Sequence, residues 1–168
     1  MSKSRLIPST DKEITLEELA AALRYLHRAL TERVRRDYEH EHHSLLSPGE
    51  FLHLLISDPR LAWIRPLSEL MVDFDVFLKA DPSPTEDEAA AVRTEVERFI
   101  APEPGEASES FATFARQYWP YISDDPQIAM AHARVKQAVE GLPEAASVNE
   151  AEVLHESHRW AELRRHRR

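Results

Sequence analysis

Three pairs of side chains in this sequence have the chemistry to hold a transition metal. Glu39 and His42, Glu50 and His53, and Glu152 and His155 each set a carboxylate three residues ahead of an imidazole. On a helix that spacing places both groups on one face, where a Glu-x-x-His pair can chelate iron, manganese or zinc. Chance in a chain this rich in Glu and His supplies about one such pair, so three are a mild excess. The first of them lies in the His-rich run Asp37-Tyr38-Glu39-His40-Glu41-His42-His43. A di-metal bundle also needs a bare inward glutamate from each of two further helices. Glu69 qualifies as one and no second stands out, while Glu50 has a simpler task as a capping partner of Ser47. The candidate metal set is therefore Glu39, His42, Glu69 and His155. No cofactor is predicted as such; iron, manganese or zinc is the alternative this set would serve. The competing reading, a solvated and charged helix end, is preferred.

A second group could line a pocket. His27 lies on or beside the apolar face formed by Leu23, Leu26, Leu30 and Val34. Arg65 falls at an expected proline break, and Asp73 follows Glu69 by one turn. An arginine at a helix break, facing buried Asp or His groups, can line a small anionic site. More often such residues satisfy interrupted backbone groups and one another. The pocket candidates are His27, Arg65 and Asp73.

Several chemistries are excluded or unsupported. The chain of 168 residues has no cysteine, which removes disulfides, thiolate metal sites and cysteine nucleophiles. Three glycines leave no phosphate-cradling loop and no Gly-x-Ser-x-Gly elbow. No catalytic residue is assigned, and the reading leans away from an enzyme.

Charge is unevenly distributed. The formal net charge is −9, yet residues 155–168 carry five arginines against Glu156 and Glu162, a net of +3, leaving −12 on residues 1–154. That basic tail could contact phosphates of nucleic acid, a weaker alternative, because the acidic body would repel a polyanion. Arginines at a helix C-terminus also complement the macrodipole. The early residues lack the apolar run of a secretory signal, and no apolar stretch is long enough to span a bilayer. A soluble, cytoplasmic protein without membrane association is expected.

The elements that must position these residues are helices. Leu16, Leu19, Leu23, Leu26, Leu30 and Val34 recur at three- and four-residue steps, with Thr15 as the expected N-cap and an end near Glu41. Ser47-Pro48-Gly49-Glu50 reads as a capping box with proline at the first helical position. Asp58-Pro59 ends or restarts that helix. Pro59 to Lys79 is the densest apolar region; Pro66 inside it should break or kink the chain near Arg65, and the second piece, Pro66 to Lys79, is expected to be the central and most buried helix. Thr85 and Glu88 form another capping box ahead of Ala89, Val92, Val96 and Phe99. A fifth helix containing Phe111, Phe114 and Tyr118 should be interrupted or end at Pro120. Asp125-Pro126 opens a sixth, stopped by Gly141 and Pro143. Trp63, Phe74, Phe77, Phe111, Phe114, Tyr118 and Trp119 are read as core.

The block Asp58-Pro59-Arg60-Leu61-Ala62-Trp63-Ile64-Arg65-Pro66-Leu67-Ser68-Glu69-Leu70 resembles the signature of an uncharacterised bacterial all-helical family, a domain of unknown function. Leu26-His27-Arg28-Ala29-Leu30, Tyr38-Glu39, Asp125-Pro126 and Ala131-His132-Ala133 extend the similarity over residues 16–139. It implies a helical fold and transfers no catalytic residue. The expectation is an all-α, single-domain bundle of about six or seven helices, kinked or broken at Pro66 and Pro120. Residues 1–14 are expected to be a flexible N-terminus, 15–143 the bundle, and 144–168 a C-terminal helix or basic tail. With no assembled catalytic set, the expected function is non-enzymatic, through contact with a protein partner or with itself as a homodimer.

Overall fold

The computed structural model describes residues 9–79, 84–103 and 109–144. Among these residues the chain forms α1 (Ser9–His42), α2 (Pro48–Ser57), a 3-10 helix (Pro59–Ile64), α3 (Arg65–Leu78), α4 (Glu86–Ile100), α5 (Glu109–Asp124) and α6 (Pro126–Glu140), with no strand. The all-α bundle is the architecture expected from the spacing of apolar residues. No described helix is long and apolar enough to cross a membrane.

Local chemistry sets most of the boundaries. The Ser47 hydroxyl accepts from the Glu50 amide while the Glu50 carboxylate accepts from the Ser47 amide, and Thr85 and Glu88 repeat the arrangement. Each box satisfies two backbone donors that a helix start leaves open. Asp58 ends α2 and its side chain then caps the 3-10 helix. Pro66 lies in the first turn of α3, where its missing N–H costs no hydrogen bond, so the break falls as a change from 3-10 to α geometry. α1 ends on His43, whose φ of 51° is left-handed, and the Ser44 amide reaches back to the Glu39 carbonyl at 3.2 Å. That is a Schellman-type close made without glycine.

Three expectations are revised. α1 begins at Ser9, six residues before Thr15, so Thr15 lies inside the helix. Helical hydrogen bonding needs no apolar face, and nothing between Ser9 and Thr15 breaks it. α5 carries Pro120 internally and runs on to Asp124. The most buried helix is not α3, whose Val72 and Val76 face solvent; α1 and α6 form the longest packed pair.

The main core is built around that pair. Leu16, Leu19, Leu23, Leu26 and Leu30 of α1 are buried against Ile128, Ala131, Val135 and Val139 of α6, with α3, α4 and α5 closing the remaining sides. Each buried leucine contributes about 1.5–3 kcal/mol through loss of water contact. Phe99 of α4 and Phe114 of α5 stack with centroids 4.3 Å apart, and Tyr118 continues the column at 4.9 Å from Phe114. A smaller cluster of Val34, Phe51, Leu61 and Ile64 lies under α2. Trp63 joins the two, packing on Phe114 and Tyr121.

Candidate functional site

Two of the three pocket candidates, His27 and Arg65, are placed by separate contacts. His27 Nε2 and Ser68 Oγ share a 2.9 Å hydrogen bond between α1 and α3, and burial lowers the histidine pKa, which favours the neutral ring. Arg65 is exposed and donates to the Ile56 carbonyl, one of the open acceptors at the end of α2. Asp73 lies just over two turns further along α3. None of the three lines the cleft formed by α4, α5 and α6.

Two of the metal candidates, Glu39 and His42, are occupied by structural tasks. The Glu39 carboxylate accepts from the Leu46 amide at 2.8 Å and from Arg35 at 3.0 Å, and these contacts hold it below the usual carboxylate range. His42 stacks on Tyr38, ring centroids 3.9 Å apart, and its Nδ1 lies 2.9 Å from the Tyr38 carbonyl. Glu69 is exposed on α3. His155, with the basic segment 155–168, lies outside the described residues. Among the described residues, no three His, Asp or Glu side chains are grouped so as to hold a metal ion.

A different set of groups meets at the other side of the bundle. A cleft of about 270 Å3 opens between the C-terminal half of α4, Trp119 of α5 and the outer turns of α6. Ile100, Pro102 and Val139 give it apolar walls; Lys136 and Glu140 stand on α6 and Glu97 on α4. Glu97 is taken by Arg93 at 2.8 Å. The same guanidinium donates to the Leu142 carbonyl at 2.8 Å, tying α4 to the chain just beyond α6.

At the floor of the cleft His132 is buried, and its Nδ1 lies 2.8 Å from the Tyr118 hydroxyl. Burial raises the Tyr118 pKa far above the ordinary tyrosine range, so the phenol keeps its proton. Burial, and then the charge of Lys136, lowers the His132 pKa and favours neutral imidazole. The phenol proton has no other acceptor among the described residues, so it is donated to Nδ1. Neutral imidazole then carries its own proton on Nε2. Trp119 meets the His132 ring edge-on, centroids 5.2 Å apart, and its buried indole N–H has no acceptor among the described residues. A buried donor left unmatched costs about 1–3 kcal/mol.

Sequence reasoning put Tyr118 and Trp119 in the core and gave His132 no task of its own. The signal was available. His132 stands four residues after Ile128 and three before Val135, on the buried stripe of α6, where an ionisable residue needs a partner.

A second surface feature is apolar. α2 has one charged residue, Glu50, and only Phe51 is fully buried; Leu52 and Ile56 are 58% and 64% exposed, and Leu45 just before the helix is 87% exposed. α2 packs chiefly on the 3-10 helix that follows it.

Comparison with protein-family models, curated proteins and solved structures finds no match to this chain.

Proposed function

We propose that the protein is non-enzymatic and acts through protein contacts, with the outer face of α2 as the contact surface and a second copy of the chain as its occupant. The observation that supports this is the exposure of Leu52 and Ile56, one turn apart on a helix whose composition is that of a buried one. Apolar groups clustered on an outer face lose their contact with water when two such faces meet.

The charges flanking α2 favour self-association. Glu50 stands at its N-terminal end, and the Arg65 guanidinium covers the Ile56 carbonyl at its C-terminal end. A two-fold axis across the helix lays the two copies antiparallel and brings each Glu50 toward the other copy's Arg65. That is the self-complementarity an isologous dimer requires.

Light scattering on the full chain over a range of concentrations tests the reading. The native protein is expected to be a dimer, and Leu52→Glu and Ile56→Glu to be monomers with unchanged circular dichroism, since both residues are exposed. A native protein that stays monomeric at every concentration rules the proposal out.

A further inference from the structure

The cleft between α4, α5 and α6 presents hydrogen-bond donors without acceptors. The Trp119 ring lines the cleft, but its indole N–H is shut off from solvent behind that wall and has no partner among the described residues. His132 offers Nε2–H, because its other nitrogen is committed to Tyr118. Lys136 adds an ammonium group one turn further along α6, with no ion pair to Glu140 or any other described residue. Of the two carboxylates at the rim, Glu97 is engaged by Arg93, which leaves Glu140 as the one negative charge facing Lys136 from α6. Around these donors the walls are apolar, formed by Ile100, Pro102 and Val139.

We infer that this cleft binds a small organic carboxylate with an apolar body, its oxygens facing the His132 and Lys136 donors and its carbon skeleton lying against Ile100 and Val139. A carboxylate is acceptor-only and can take several N–H groups at once, so one ligand group answers both donors. The volume of about 270 Å3 falls just below the usual range for ligand cavities, which restricts the body to one ring or a short chain. Charge selects further: Lys136 favours the anion over its neutral amide, whereas the imidazole donor serves both. This site is independent of the α2 surface, so either can fail without the other.

The test uses the full chain and the indole N–H resonance of Trp119, assigned through Trp119→Phe. Benzoate and octanoate are titrated separately, which distinguishes an aromatic body from an aliphatic one, with benzamide as the uncharged comparison. At least one acid is expected to shift the Trp119 resonance saturably in the submillimolar range, with benzamide at least tenfold weaker, a difference of about 1.4 kcal/mol. Lys136→Met, a change at an exposed position, is expected to remove that preference while leaving the circular dichroism unaltered. Absence of saturable shifts with both acids overturns the proposal. So does equal binding of benzoate and benzamide, or an acid preference that survives Lys136→Met. Nuclear Overhauser contacts from the indole N–H of the ligand-free protein to residues 145–168 would give the cleft to the chain itself, and would overturn it too.

Discussion

Asp125 pairs with Arg33 while it caps a helix. One carboxylate oxygen caps α6 by accepting from the Gln127 amide at 2.9 Å, and the other accepts from the Arg33 guanidinium of α1 at 3.3 Å, with Arg36 at 3.4 Å. The start of α6 is thereby pinned to the C-terminal third of α1, the helix against which it packs most closely. Burial pushes the Asp125 carboxyl upward, yet the Gln127 amide, Arg33 and the Ile128 amide together hold it below its ordinary 3.8.

Replacing Asp125 should separate the two jobs. Asp125→Ala removes cap and ion pair together and is expected to cost about 2–4 kcal/mol, whereas Asp125→Asn keeps a capping oxygen and should cost about half as much. Urea midpoints measure both. The stabilisation is present in full above pH 3.8 and is lost as pH falls through the lower folded value. Equal losses in the two variants would place all the energy in the ion pair.

Half-buried His27 and buried His132 give a second acid sensitivity, at higher pH. Both His27 and His132 have folded pKa values lowered by burial from 6.5. A group favoured neutral in the fold contributes fully above its unfolded pKa, and its contribution declines as pH drops from there toward the folded value. Stability should therefore fall between pH 6.5 and the lower folded values. His27→Gln and His132→Gln should each flatten the slope, by at most about 1.4 kcal/mol per pH unit. Unfolding curves at successive pH values, with slopes unchanged in both variants, would contradict this.

Gly141 closes α6 with φ of −75°, a conformation open to any residue, so its small size must serve something other than backbone freedom. A Cβ there would lie 3.0 Å from the Thr15 Cγ2 of α1 and 3.4 Å from the Ala138 carbonyl. Gly141→Ala is expected to cost about 1 kcal/mol in the native background through that crowding. In a Thr15→Ser background, which deletes the methyl group and keeps the hydroxyl, the same change should be neutral or mildly stabilising. A double-mutant cycle on thermal melting reads the coupling.

What could be read in advance was local. Ser47 with Glu50, Thr85 with Glu88, and Asp125 with Pro126 are signals contained within four residues, and all three mark helix starts as expected. The leucine ladder of α1 is likewise complete in one segment. Harder to read were features that depend on distant neighbours. The density of apolar residues suggested α3 as the central helix, but density does not say which helix is enclosed on all sides, and Val72 remains in water. Arg65 was noticed for its place at a break, while its partner, the Ile56 carbonyl, is a backbone atom that composition cannot reveal. Trp119 has an aromatic core residue's pattern; only the packing of α4 and α6 around it leaves the indole N–H without an acceptor among the described residues.

The way α2 is attached has a dynamic outcome. Guanidinium groups grip it at both ends, Arg35 on the Leu46 carbonyl and Arg65 on the Ile56 carbonyl, and little of its surface is wedged into the interior. Elements held by a few solvent-accessible hydrogen bonds open at lower free energy than the core does. α2 should thus swing or unravel while the leucine ladder stays shut. The face offered for association is mounted on the part of the molecule best able to adjust its pose, and amide exchange there should outpace that of α1 and α6.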